Sequence, residues 1–103
     1  MTAIIGSGPA YFYYILQAMQ NVAIKNKMDQ KLATELIKNT FYGTAKILIN
    51  ENKSFNELRK KVTSKGGTTE AGIKFLENKN VKKIIINSIN QAIKKARVLR
   101  SLK

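Results

Sequence analysis

The chain contains no cysteine and no histidine. Their absence removes disulfide frameworks, thiol nucleophiles, imidazole bases and nearly every transition-metal site, because such sites draw their ligands from these two residues. Tryptophan is missing, proline occurs only at Pro9, and 6 acidic residues stand against 19 basic ones. No apolar run approaches the roughly 20 residues that a membrane helix needs. The start Met1-Thr2-Ala3-Ile4-Ile5-Gly6 has neither the basic region nor the length of a signal peptide. The chain reads as soluble and cytoplasmic, with no metal and no membrane partner.

What is present fits one small domain. A chain of 103 residues buries a modest share of its unfolded surface, so its stability is expected to be borrowed from a partner, most simply a second copy. The formal charge of +13 invites a nucleic-acid reading, since a basic surface attracts phosphate without any motif. Arginine, the residue that forks onto bases and phosphates, stands only at Arg59, Arg97 and Arg100. Lysine, isoleucine and asparagine dominate instead, and all three have A+T-rich codons. Genome composition therefore accounts for the charge as well as binding does. A small basic helical nucleic-acid-binding protein is the alternative class.

The apolar spacing is helical throughout. From residue 9 to about 25, Tyr11, Ile15, Ala18 and Val22 form one row, and Phe12, Leu16, Met19 and Ala23 form another. Two rows are too wide for one small core and predict contact with a second layer. Ser7 and Gly8 precede Pro9, whose missing N–H suits a first helical turn. Asp29 is the expected N-cap of a longer helix to about residue 50, with Leu32, Leu36, Ile37, Thr40, Gly43, Ala45, Ile47 and Leu48 turned inward. Ser54-Phe55-Asn56-Glu57 is a capping box and predicts a short helix over 58–62. A brief helix over about 70–77 follows, broken by Asn78-Lys79-Asn80. The last helix, from residue 81 to about 102, sets Val81, Ile85, Ile89, Ala92, Ala96 and Leu99 in a seam suited to a long partner helix. The expected fold is all-α, a bundle of about five helices.

One stretch has no such period: Thr63-Ser64-Lys65-Gly66-Gly67-Thr68-Thr69. Paired glycines let backbone N–H groups turn inward, and a following helix start adds positive potential, so the segment could receive an anion. It equally fits an ordinary turn with Thr68 or Thr69 as N-cap. It is not a dinucleotide fingerprint, because neither GxGxxG nor GxxxxGK[ST] is present and no strand precedes it.

Ile5-Gly6-Ser7-Gly8-Pro9-Ala10-Tyr11 resembles the segment that opens the C-terminal domain of pyrroline-5-carboxylate reductases. Val62-Thr63-Ser64-Lys65-Gly66-Gly67-Thr68-Thr69-Glu70-Ala71-Gly72, followed by Leu76-Glu77, resembles that family's signature. The resemblance covers essentially the whole chain. It implies an enzyme of proline biosynthesis that reduces 1-pyrroline-5-carboxylate to proline with NADH or NADPH. A Rossmann domain holds the cofactor. A helical domain of the 6-phosphogluconate-dehydrogenase C-terminal type interleaves with a second copy in a homodimer. The signature loop binds the substrate carboxylate, which places that role on Ser64, Gly66, Gly67, Thr68 and Thr69. Thr69 lies near the ring nitrogen as the candidate for orienting or protonating it, and Ser7, Gly8 and Pro9 begin the helix on the nicotinamide side. Three positions depart from the family pattern: Lys65 replaces a proline, Ile5 replaces a serine, and Lys79-Asn80 replaces a Gly-Gly turn, where asparagine tolerates the left-handed conformation.

Nothing in the sequence reads as a parallel βαβ unit, so the Rossmann domain is expected to lie outside these residues and no cofactor is expected on this chain alone. A segment cut at a domain boundary, half of a split enzyme with a separately encoded Rossmann chain, and the remnant of a decaying gene all fit. So does a structural dimerisation module with a vestigial pocket. The pure chain is expected to show no NADPH-dependent reduction of 1-pyrroline-5-carboxylate in a cofactor absorbance assay; measurable turnover would sink that expectation.

Overall fold

The computed structural model describes residues 2–102. They form five helices, α1 (Thr2–Lys25), α2 (Gln30–Asn50), α3 (Phe55–Lys61), α4 (Thr68–Asn78) and α5 (Val81–Ser101), with no strand among them. The all-α expectation holds. The described residues divide into two compact units, one of Pro9–Ser54 and one of the remainder.

In the first unit, α1 and α2 run antiparallel. Gln20 Nε2 donates to Thr34 Oγ1 at 2.7 Å, and the Phe12 and Phe41 rings tilt against each other at 5.5 Å. The same Thr34 hydroxyl donates to the Gln30 carbonyl at 2.8 Å, so it is satisfied both ways. Asp29 caps α2 as expected, its carboxylate accepting from Leu32 N at 3.1 Å.

The turn between α1 and α2 lies between Lys25 and Asp29, as the sequence suggested. Met28 N donates to the Ala23 carbonyl and Lys27 N to the Ile24 carbonyl, the paired bonds of a Schellman motif that normally ends on glycine. Here Lys27 takes the left-handed position at φ 66°.

In the second unit, α4 meets α5 through a two-residue turn. Asn80 sits at φ 56°, ψ 39° as N-cap of α5, so asparagine supplies the left-handed residue as expected. Lys79 closes α4 through its N–H to the Phe75 carbonyl at 3.1 Å, and its ammonium lies 5.7 Å from the Phe75 ring centre.

Three helix starts differ from expectation. α1 opens at Thr2, not Pro9, so Gly6-Ser7-Gly8-Pro9 lies inside a helix. Propensity opposes this, with about 1 kcal/mol for each glycine and about 3 for the proline. Residues 2–8 nevertheless group with the unit that holds α3, α4 and α5, and Ala3, Ser7 and Gly8 are half-buried, although a side chain at Gly6 or Gly8 would meet nothing within 4 Å. The carbonyl of Ile5, which Pro9 deprives of its donor, belongs to a residue 70% exposed, and a backbone group open to water does not carry the cost of a buried unpaired one. α3 opens at Phe55, directly after the capping serine, rather than at Leu58. α4 opens at Thr68 rather than Glu70.

The inward face expected of α2 is not covered by this chain. Ile37, Gly43 and Ala45 are half-buried, but Leu32, Leu36, Ile47 and Leu48 are exposed. Ala33, 1% exposed, is the one buried side chain among the described residues. The rows of α1 are largely open, with Val22 at 62%, whereas the seam of α5 is half-buried at Val81, Ile89, Ala92 and Ala96 and exposed at Ile85 and Leu99. The chain exposes 9143 Å², about 3,300 Å² beyond what surface scaling gives a folded monomer of its mass.

Relieving the left-handed strain at Lys27 is expected to stabilise the fold. Lys27→Gly should add about 1 kcal/mol, read as a higher melting temperature.

Candidate functional site

The glycine-rich segment is built from both ends. At its start α3 is closed by Thr63, whose N–H donates to the Lys60 carbonyl at 3.1 Å and whose Oγ1 donates to the Arg59 carbonyl at 2.6 Å. The backbone then turns at Lys65 and Gly66. Gly66 lies at φ 76°, a conformation that costs a side-chain-bearing residue and is free to glycine. Gly67 is needed for a different reason. Its φ is ordinary, but a Cβ there would stand 2.7 Å from Ser64 Oγ and 3.2 Å from the Ser64 carbonyl. Gly67 N donates to that carbonyl at 3.1 Å, which closes the turn.

Gly67 is the N-cap of α4, and no side chain caps the helix. The alternative in which Thr68 or Thr69 caps it is therefore wrong, and the reason is geometric: both lie inside the first helical turn. Helix geometry leaves the first-turn amides of Thr68, Thr69 and Glu70 without intrahelical acceptors. The Thr68 and Thr69 side chains are exposed, and no hydrogen bond commits their hydroxyls. Ser64 is exposed as well. The segment therefore offers several uncommitted donors at the positive end of a helix dipole, an arrangement that suits a carboxylate.

Two of the expected donors are already engaged in the free chain. The Gly67 amide serves the turn, and the Gly66 amide donates to Glu70 Oε1 at 3.0 Å. The same oxygen lies 3.6 Å from Lys74 Nζ, one helical turn on. The Gly66 N–H holds the Glu70 carboxyl below the ordinary glutamate value; desolvation opposes it, and Lys74 adds a lesser lowering effect. Sequence reasoning passed over Glu70. Its signal was the spacing Gly67-x-x-Glu70, the same cap-to-third-residue spacing that marks Ser54 and Glu57.

Ser64, Gly66, Gly67, Thr68 and Thr69 thus form one continuous cradle. Ser7 and Gly8 fall in the same compact unit, whereas Pro9 is the first residue of the other. A separate open groove of about 800 Å³ lies within the α1–α2 unit, walled by Tyr13, Tyr14, Leu16, Ile37, Phe41 and Tyr42. It contains none of the predicted site residues, and its apolar lining suits packing rather than chemistry.

Residues 1–99 match the family described as pyrroline-5-carboxylate reductase dimerisation. The chain belongs to that family. It is 41% identical over 96 residues to pyrroline-5-carboxylate reductase 2 of Bacillus subtilis, covering 93% of this chain and 34% of that protein. Over 103 residues it is 35% identical to the Haemophilus influenzae pyrroline-5-carboxylate reductase, covering 99% and 38%. Two solved structures share the fold at a TM-score of 0.88. One is a pyrroline-5-carboxylate reductase from Coxiella burnetii, 37% identical, with 95% of this chain and 36% of that one covered. The other is the Plasmodium falciparum pyrroline carboxylate reductase with NADP bound, 28% identical, with 94% and 39% covered. The chain spans about a third of the length of the curated relatives it matches.

The Gly66–Glu70 bond has a pH signature. Folding favours the ionised carboxylate, so Glu70 titrates below an unfolded glutamate. The bond's contribution is therefore complete above the ordinary glutamate range and is lost as pH falls through the lowered value. The Gly66 amide resonance is expected to stay constant through neutral pH and to move only below the ordinary value of 4.5. Movement centred above it would contradict the geometry.

Proposed function

We propose that this chain is the dimerisation and substrate-carboxylate-holding part of a cytoplasmic pyrroline-5-carboxylate reductase, which reduces 1-pyrroline-5-carboxylate to proline with NADH or NADPH. The observation that carries the reading is the loop between α3 and α4, where first-turn amides and two threonine hydroxyls stand uncommitted beside a glycine turn. The amides and hydroxyls of Thr68 and Thr69, with the Ser64 hydroxyl, take the substrate carboxylate. Charge-assisted bonds of this kind contribute about 1.5–3 kcal/mol each, enough for two or three to hold a small imine in place. Gly66 and Gly67 act by shaping the turn. Thr69 orients or protonates the ring nitrogen through its hydroxyl.

The dinucleotide does not fit the residues described. They include no strand, hence no βαβ unit whose glycine turn would cradle a pyrophosphate. The cofactor is assigned to a Rossmann domain outside them, in the same or a separate chain, with Ser7, Gly8 and Pro9 on the side that faces it. This chain's part in the reaction is to bind and orient the imine; hydride delivery belongs to the nicotinamide.

A homodimer completes the reading. Counted on both copies the surplus exposed area is about 6,600 Å², as much as a large obligate interface buries in total, and among the described residues 27 large apolar side chains lie exposed, on α1, α2 and α5 above all. Light scattering at micromolar concentration is expected to give a dimer, and a stable monomer would overturn this part of the reading. Titration with L-proline is expected to shift the amides of residues 64–69. Thr69→Val should weaken proline binding roughly tenfold, the loss of one hydrogen bond of about 1.4 kcal/mol. A loop that ignores millimolar proline in the dimer would leave a structural module with a vestigial pocket.

A further inference from the structure

The loop that is to receive a carboxylate already holds one. Glu70 stands at the third position of α4 and reaches back to the Gly66 amide, one residue before the N-cap. Gly66, at φ 76°, is the turning point of the loop and as a glycine the residue with most backbone freedom, and the residue before it is Lys65, which lacks the fixed φ that a proline would impose. The bond to Glu70 therefore restrains the backbone where it is otherwise least restrained.

A glutamate beside an anion site also has a cost. Its charge opposes a second carboxylate arriving a few ångströms away. Lys74 answers that charge from the same helix, and it does so at Oε1, the oxygen that accepts from Gly66. The two residues have separable tasks, one geometric and one electrostatic.

We propose that Glu70 is a positioning residue for the substrate carboxylate, fixing the Gly66 turn so that the Thr68 and Thr69 donors stay open, and that Lys74 cancels the charge this device brings to the site. The proposal rests on the reading of the loop as the substrate site. Glu70 and Lys74 need not touch the substrate.

Glutamine keeps the acceptor oxygen and removes the charge, whereas alanine removes both. In the full chain without ligand, hydrogen exchange at the Gly66 amide is expected to be slowed in the wild type and in Glu70→Gln, and about tenfold faster in Glu70→Ala. With L-proline as the probe, Glu70→Ala is expected to bind about tenfold more weakly, and Glu70→Gln as well as the wild type or better. Lys74→Met should weaken proline about threefold while leaving Gly66 exchange unchanged, and adding Glu70→Gln should restore the affinity. That rescue separates charge cancellation from helix stabilisation, which Glu70→Gln would not repair. Proline binding unchanged in Glu70→Ala, or lowered equally by Glu70→Gln and Glu70→Ala, overturns the role of Glu70 alone. A failed rescue overturns the role of Lys74. A wild-type chain that does not bind proline overturns the substrate reading of the loop, and the positioning role with it.

Discussion

Burial of apolar surface governs everything else in this chain. Folding must offset the conformational entropy of about a hundred ordered residues, and the main term available for that is the removal of apolar groups from water. Here only Ala33 is buried among the described residues. Helix propensity and capping do not close such a gap, because isolated helices of this length are marginal in water. The apolar rows of α1, the face of α2 and the seam of α5 are therefore half of an interior. The family to which the chain belongs is named for the process that supplies the other half.

The loop between α3 and α4 is the opposite case, a structure determined by its own short-range bonds. Thr63 ends one helix, Gly67 begins the next, and Glu70 ties the turn between them. Little in it depends on distant packing. Its geometry is thus set by residues close in sequence, whereas the apolar surfaces of the long helices await a partner.

This difference explains what the sequence revealed. Asp29 and Asn80 were legible because cap chemistry and left-handed tolerance are local. The rows of α1 were legible as surfaces in need of a second layer, but the face of α2 was not, so Leu32, Leu36, Ile47 and Leu48 read as core and stand exposed in the chain. The start of α1 was misread at Pro9 because a proline preceded by two glycines carries the local signal of a first turn, whereas the chain is helical from Thr2. Lys27 escaped notice because lysine carries no signal for a left-handed turn. At the loop, the glycine turn and the helix that follows it were legible, while the division of labour among the amides was not. It required knowing that Gly66 and Gly67 spend their N–H groups inside the chain.

The solitary buried alanine on α2 has a thermodynamic consequence. When the interior lies between copies, the folding equilibrium is of second order in chain, and its midpoint carries units of concentration. For such a protein, dilution acts as a denaturant. The cellular abundance of the chain then sets the fraction that is folded as much as any single contact within it.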